Sequence, residues 1–369
     1  MKGTITWAGF GLLASSMASA LRLGGHEVHI RAVSSPETLH RALELGLVDE
    51  VFDYCDLQKA LPGTDLLLLC GPISHILKTL ETLRTLPSPD SPILVSDVGS
   101  TKGAICAAGA LLPEPFRFVG GHPMAGSEKR SLEYHDPALF ENAYWILCPE
   151  RDIPQESFAL LRQLIDSLGA NRVELQPEEH DRIMARLSHV PQLVSTALAA
   201  GLSPRILEQS QQHLAGRGFR DMTRLAASPW PMWRDIVTTN QTEILEGIRE
   251  MRATLGHVEN FLADLPRSKE SLQQIFERGA EVRSSLSAPG KGFSMSLYEI
   301  MVQLPDHPGS ILSVVSPLTE AGINILDIEL AKVREGIGGT LLLGFKMQTD
   351  ALWAVELLSK ADITAKVRP

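Results

Sequence analysis

The stretch Gly3-Thr4-Ile5-Thr6-Trp7-Ala8-Gly9-Phe10-Gly11-Leu12-Leu13-Ala14 decides the fold. Residues 3 to 8 read as a β-strand. Ser15 to Leu23 reads as a helix, with Gly24-Gly25 as its stop. Between them, Gly9-Phe10-Gly11-Leu12-Leu13-Ala14 fits G-x-G-x-x-[GA]. Glycine allows a tight turn and a close approach of backbone to a pyrophosphate. The following helix start offers N–H donors and a partial positive charge. The glycines alone are a weak signal. Their strand–turn–helix context predicts a dinucleotide site at Gly9, Gly11, Leu12, Leu13 and Ala14. The same stretch imitates a secretory signal, with Lys2, an apolar run and Ala18-Ser19-Ala20. Two glycines interrupt that run and a strand pattern follows, so the strand reading stands.

Outward from this motif, short apolar runs alternate with helical stretches. His26 to Ala32, Asp65 to Cys70, Pro92 to Asp97, Arg117 to Gly120 and Tyr144 to Cys148 read as strands. Pro36 to Leu45 and Ile73 to Leu86 read as helices. This β-α alternation predicts a doubly wound, Rossmann-type α/β sheet over residues 1–175. Residues 176–283 differ, with 3.6-period stretches at Glu178 to Ala200, Ile206 to Leu214 and Pro231 to Leu262. They predict an all-α domain. Its last helix carries Ile236, Ile244, Ile248, Met251 and Leu255 at helical spacing, which suits a homodimer or an intrachain core. Residues 284–294, rich in Ser, Gly and Pro, read as a linker. Residues 295–369 follow a β-α-β-β-α-β order, a ferredoxin-like module.

The 369 residues carry a formal net charge of -10, with 44% hydrophobic and 21% charged residues. That is ordinary for a globular protein. The acidic balance argues against a nucleic-acid or anionic-membrane partner. No run approaches the ~18 apolar residues of a membrane helix. The four cysteines, Cys55, Cys70, Cys106 and Cys148, form no C-x-x-C pair. They read as buried free thiols in a reducing, cytoplasmic setting. The acidic residue that commonly meets a ribose 2′-hydroxyl at the end of the second strand is missing. Arg31-Ala32-Val33-Ser34-Ser35 stands there instead. Arg31 with Ser34 suits a 2′-phosphate, which favours NADP over NAD, although Arg31 also reads as a solvated strand end.

Two further segments end predicted strands at the same edge of the sheet. Val119-Gly120-Gly121-His122-Pro123-Met124-Ala125-Gly126-Ser127-Glu128 flanks one histidine with glycines on a predicted loop. A histidine is more often structural than catalytic, but this is where α/β sheets bind ligands. Ser96-Asp97-Val98-Gly99-Ser100-Thr101-Lys102 offers hydroxyls and a helix start. Ser100 or Thr101 could equally be a simple N-cap.

These two segments resemble the signature loops of the prephenate/arogenate dehydrogenase family. The resemblance extends, in order, to His180-Asp181, Ser188-His189-Val190-Pro191, Gly218 to Ala226 and Met232-Trp233-Arg234-Asp235. It covers about residues 1 to 280. It implies an oxidative decarboxylation of a cyclohexadiene with hydride transfer to NAD or NADP, and no metal. His122 would draw off the proton of the substrate hydroxyl. Ser100 would orient His122, and Arg224 would pair with the ring carboxylate. Ser127 and Ser188 would help hold the substrate. Glu128 and Asp221 would stand at the site entrance, and Trp233 would shape the pocket or fill the core.

One position departs from the family, many of whose members read His-Leu-Pro-His where this chain has His189-Val190-Pro191-Gln192. The fourth residue faces the substrate side chain in the family. A neutral amide accepts a hydrogen bond from an ammonium that a histidinium would repel. Gln192 therefore favours arogenate over prephenate. The C-terminal module, with Asp306-His307-Pro308-Gly309 and Gly322-Ile323-Asn324-Ile325, resembles an ACT domain. That implies an amino-acid effector at Asp306, His307, Gly309, Asn324 and Ile325, with tyrosine feedback as the natural expectation and a ligand-free dimerisation module as the alternative. Two rivals share the layout. A 3-hydroxy-acid dehydrogenase would usually rely on a lysine in the helical domain, and residues 177–260 contain none. A non-catalytic cofactor-sensing regulator would not need the set His122, Ser100 and Arg224.

Overall fold

The computed structural model describes residues 1–125, 131–149, 158–202, 214–285, 297–334 and 338–368. Ser127, Glu128, residues 206–213 of the expected helix and residues 286–294 of the expected linker lie outside them. The chain divides into two compact units, Met1–Ala263 and Asp264–Pro369.

The first unit is built on an eight-stranded sheet. Its strands are β1 (Lys2–Ala8), β2 (Glu27–Ser34), β3 (Glu50–Asp53), β4 (Leu66–Leu69), β5 (Ile93–Asp97), β6 (Phe116–Pro123), β7 (Tyr144–Pro149) and β8 (Asn171–Glu174). The order is β3-β2-β1-β4-β5-β6-β7-β8. The first six are parallel. β7 runs antiparallel to β6, and β8 is parallel to β7. The all-leucine β4 explains the layering. Leu66 and Leu68 enter one core with Trp7, Met17 and Trp145, while Leu67 and Leu69 enter the other with Ile76, Val95 and Ile105. A strand buried on both faces takes no polar residue on either side. Each fully buried leucine contributes about 2 kcal/mol of hydrophobic transfer.

Two strands escaped the sequence reading, β3 and β8. Both are short, charged and only half-buried at the sheet edges, where charge blunts unwanted pairing. A third difference matters for chemistry. The strand expected to stop at Gly120 continues to Pro123, so His122 sits within β6, opposite Ile146 of β7, and not on a loop. Gly121 permits this, because a Cβ there would stand 2.5 Å from the carbonyl oxygen of Asp97.

The rest of this unit is helical. It comprises Pro177–Met184, a π turn Ala185–His189, Val190–Ala200, Arg217–Thr223, a 3-10 turn Arg224–Ala227, Trp230–Thr239 and Gln241–Ala263. The single helix expected from Pro231 to Leu262 is broken at Asn240. That residue has φ -121 and ψ 29, and its buried side-chain amide donates to the carbonyl of Asp181 at 2.8 Å. The helices are tied to the sheet by polar contacts. Ser74 N–H donates to Asp235 at 2.9 Å, and the hydroxyls of Thr101 and Thr239 meet at 2.7 Å.

The second unit starts with the helix Leu265–Ser285. β9 (Tyr298–Leu304), β10 (Asp327–Arg334), β11 (Gly338–Phe345) and β12 (Ala365–Val367) follow, with helices Ser310–Glu320 and Gln348–Lys360. The sheet order is β10-β11-β9-β12, antiparallel throughout, with Ile300, Val314, Leu343 and Leu358 in its core. This is the expected β-α-β-β-α-β module. Among the described residues no helix is long and apolar enough to cross a membrane.

Candidate active site

The dinucleotide motif is assembled as a turn between β1 and the helix Leu12–Leu23. Gly9 has φ +95, and a Cβ there would lie 2.9 Å from the carbonyl oxygen of Cys70. Only glycine fits on both counts. Its N–H is held by the Val33 carbonyl at 2.8 Å. Gly11 directly precedes the helix, whose first turn holds no acidic residue. The helix start therefore keeps the donors and positive end that an anion needs. Leu12 and Ala14 are buried, and the small Ala14 lets the helix sit close on the sheet. Leu13 is half-buried against the same core. Beside this turn lies a cavity of about 420 Å³, bordered by Gly9, Val33, Tyr54, Gly71, Lys78 and Thr79. A glycine cradle, a helix start and an adjoining cleft fit a dinucleotide.

Arg31 already has partners within the chain. It lies in the body of β2, three residues before its end, opposite Thr6 of β1. Its Nε donates to Glu50 at 2.8 Å, and one Nη donates to the carbonyls of Pro62 (2.6 Å) and Ala60 (3.2 Å). Its fork is engaged in holding β2 to the chain beside it. Ser34, at the strand end, is buried, with its Oγ 3.5 Å from the Tyr54 hydroxyl.

The chemical centre gathers around β5 and β6. Lys102, with no solvent exposure, donates through Nζ to Asp97 and, at 2.6 Å, to the Gly121 carbonyl. Asp97 also accepts from the N–H groups of Gly99 (2.7 Å) and Gly121 (3.0 Å). This buried ion pair fixes the backbone on which His122 stands.

His122 is buried, and its Nδ1 lies 2.8 Å from Nε2 of His180. His180 Nδ1 lies 2.8 Å from Oδ1 of Asp181. That carboxylate also accepts the N–H groups of Lys102 (2.7 Å) and Gly103 (2.8 Å). Burial above all, then His180, Lys102 and His189, pushes His122 well below the usual histidine range. Burial also lowers His180, against the opposing effect of its hydrogen bond to Asp181. His189 is lowered to about 4 by burial, against the pull of Asp181. Three neutral imidazoles therefore share one buried site.

Ser100 was expected to orient His122. It is half-buried just before the helix Gly103–Gly109, and the structure records no hydrogen bond between the two; Nδ1 is taken by His180. The substrate-side residues lie on the helical segment. Ser188 is half-buried in the π turn, a local irregularity often found at functional sites. Gln192 is buried, and its amide is used within the chain. Nε2 donates to the Leu225 carbonyl at 2.7 Å, and Oε1 accepts from Ser228 at 3.3 Å. Gln192 thus braces the turn Arg224–Ala227 instead of presenting a free amide. Arg224 and Asp221 are exposed on that turn and on the helix before it. The Trp233 ring stands edge-on to His189, with centroids 5.9 Å apart.

Six buried polar residues of this centre carried no assigned role in the sequence reading: Asp97, Lys102, His180, Asp181, His189 and Asn240. Their signal was modest. Asp97 closes an apolar strand, and His180-Asp181 opens a helix otherwise marked only by its apolar spacing.

In the second unit, Asp306, His307 and Gly309 border a cavity of about 410 Å³ with Leu304, Leu330 and Gly338. Gly309 takes φ +91, and the Ser310 hydroxyl meets His307 Nδ1 at 3.0 Å. Asn324 and Ile325 do not border it. Asn324 is exposed, and Ile325 packs on the module's core.

Family models agree with this layout. Residues 17–174 match the prephenate dehydrogenase nucleotide-binding domain, and residues 176–278 match the prephenate dehydrogenase dimerization domain. The chain is 32% identical over 358 residues to prephenate dehydrogenase of Bacillus subtilis (strain 168), covering 95% of this chain and 94% of that one. It is similar to the crystal structure of Synechocystis arogenate dehydrogenase, with 30% identity, a TM-score of 0.66, and coverage of 76% of this chain and 99% of that one. It is also similar to prephenate dehydrogenase from Aquifex aeolicus in complex with hydroxyphenyl propionate and NAD+, with 27% identity, a TM-score of 0.67, and coverage of 77% and 98%.

Proposed function

The chain belongs to the prephenate dehydrogenase family, and on that premise we propose that it oxidatively decarboxylates prephenate to 4-hydroxyphenylpyruvate with a nicotinamide cofactor. The observation that carries this reading is His122, neutral and buried on β6 at the carboxyl edge of the sheet. A neutral imidazole is a base, and Nε2 is its remaining lone-pair position. It accepts the proton of the substrate's ring hydroxyl. The nicotinamide, when bound, takes the hydride from the same ring carbon. Loss of carbon dioxide then makes the ring aromatic, which drives the reaction forward. Arg224 pairs with the ring carboxylate, and Ser188 and Ser100 line the substrate space. Asp221 stands at its entrance.

For the cofactor we place NAD first. Arg31 is occupied, the hydroxyls of Ser34 and Tyr54 are neutral, and the Aquifex relative was solved with NAD+. For the substrate we place prephenate beside arogenate, since Gln192 is a neutral wall to either side chain. The helix Gln241–Ala263 leaves Met251, Leu255 and Leu262 exposed along its length, which supports a homodimer. The cavity at Asp306, His307 and Gly309 supports an ACT-type effector site for an amino acid, tyrosine first.

The test is initial rates with purified protein on prephenate and on arogenate, each with NAD and with NADP. Turnover of prephenate with NAD carries the reading. Turnover of arogenate alone, or with NADP alone, corrects its finer parts. No turnover of any pair overturns it.

A further inference from the structure

Three ring nitrogens and a carboxylate stand in line behind the base: Asp181 Oδ1, His180 Nδ1, His180 Nε2 and His122 Nδ1, with both links at 2.8 Å. Hydrogen-bond chemistry assigns the protons in this row. Asp181 is held as an acceptor, since it already receives the backbone N–H groups of Lys102 and Gly103. His180 must then donate from Nδ1. A neutral imidazole that donates from one nitrogen accepts at the other. Nε2 of His180 is therefore an acceptor, and His122 must donate to it from Nδ1. That leaves Nε2 of His122 as its bare nitrogen.

We propose that His180, anchored by Asp181, is a positioning residue that sets the tautomer of His122 and so aims its basic nitrogen at the substrate. The proposal rests on the reading of His122 as the base. The chemistry balances simply. The substrate O–H bond breaks, its proton forms a bond to Nε2 of His122, and the electron pair left on oxygen becomes the carbonyl as hydride departs from carbon. The positive charge gained by His122 is shared along Nδ1–H toward His180 and the Asp181 carboxylate. A carboxylate behind a histidine plays this part in other enzymes, through orientation and charge. Here an imidazole stands between the two. Packing alone would not require it, because an apolar ring would fill the same volume.

The rest of the surroundings leave this row as the device for the task. Lys102 and Asp97 are spent on each other and on the backbone of Gly99 and Gly121. His189 is held through Nδ1 by Asn240 at 3.2 Å. Among the described residues the bond of His122 Nδ1 is to His180.

The experiment is 15N NMR of histidine-labelled full-length protein, with His122 signals located by comparison with a His122→Gln variant, beside steady-state kinetics. The wild type is expected to carry the His122 proton on Nδ1. His180→Phe keeps a ring but removes the acceptor. It is expected to move that proton to Nε2 and to lower kcat about 100-fold with KM little changed. His180→Gln restores an acceptor and is expected to keep the Nδ1–H form and recover most of kcat. A wild-type His122 protonated on Nε2 overturns the proposal. So does a His180→Phe enzyme with unchanged tautomer and kcat. If His180→Phe fails to fold, the wild-type tautomer and the His180→Gln variant still decide. The tautomer needs no turnover to be read, so an inactive wild type would sink the proposed reaction and leave this test standing.

Discussion

The Nζ of Lys102 donates to the carbonyl of Gly121 at 2.6 Å, one residue before His122, and the lysine has no contact with solvent. Its charge is balanced by Asp97, equally buried. Removing one partner of a buried pair leaves the other charge uncompensated. Lys102→Met is therefore expected to cost about 3–5 kcal/mol of stability. The double variant Asp97→Asn/Lys102→Met should regain a good part of that loss. Urea unfolding of the three proteins checks this; equal stability of the single variant and the wild type would refute it.

Acid sensitivity follows from the three depressed imidazoles, His122, His180 and His189. Their folded values lie below the unfolded value near 6.5, so below that pH the unfolded chain binds more protons than the native one. Stability is then full above about pH 6.5 and falls as pH drops, by at most about 1.4 kcal/mol per pH unit for each such histidine, until that histidine's folded value is reached. His122, faced by His180, Lys102 and His189, stays neutral through this range. Plots of kcat/KM against pH should run flat through 6.5 and fall only where the protein starts to unfold. A protonation step in kcat/KM near 6.5 with the fold intact would contradict this.

Gly9 combines φ +95 with a Cβ position 2.9 Å from the Cys70 carbonyl. Gly9→Ala meets both strain and a backbone clash, worth about 1–3 kcal/mol. The displaced turn should weaken cofactor binding by about 10–100-fold. Fluorescence titration with NADH measures it. Unchanged affinity would remove the turn from the cofactor site.

Gln192 holds the Leu225 carbonyl at 2.7 Å, and Leu225 follows Arg224. Gln192→Leu should leave that carbonyl without its partner and loosen the turn. The expected result is a KM for prephenate raised about tenfold, with arogenate affected in equal measure. A selective loss of arogenate turnover would restore Gln192 as a discriminator of the substrate side chain.

Arg31→Ala separates a structural role from a cofactor role. Loss of its bonds to Glu50, Ala60 and Pro62 should cost about 1–2 kcal/mol of stability. The ratio of kcat/KM for NAD to that for NADP should stay as it was. A shift toward NAD would return Arg31 to the cofactor.

Legibility in the sequence followed the range of the forces involved. The turn Gly9–Gly11, the leucine strand Leu66–Leu69 and the β-α-β-β-α-β tail were readable because turn chemistry and burial periodicity are local. His122 was readable only through the motif around it, and its place on a strand was not, because Gly120 and Gly121 look like loop residues until β7 pairs with them. The partners of Arg31 were illegible for the same reason: Glu50, Ala60 and Pro62 come from 19 to 31 residues away. The row Asp181–His180–His122 spans 58 residues between its two histidines. By itself the sequence determined the local elements, their order and the chemical types available. Only the tertiary structure decided which polar groups are buried together, because burial and hydrogen-bond partnership are properties of the packed chain and leave no periodic trace along it.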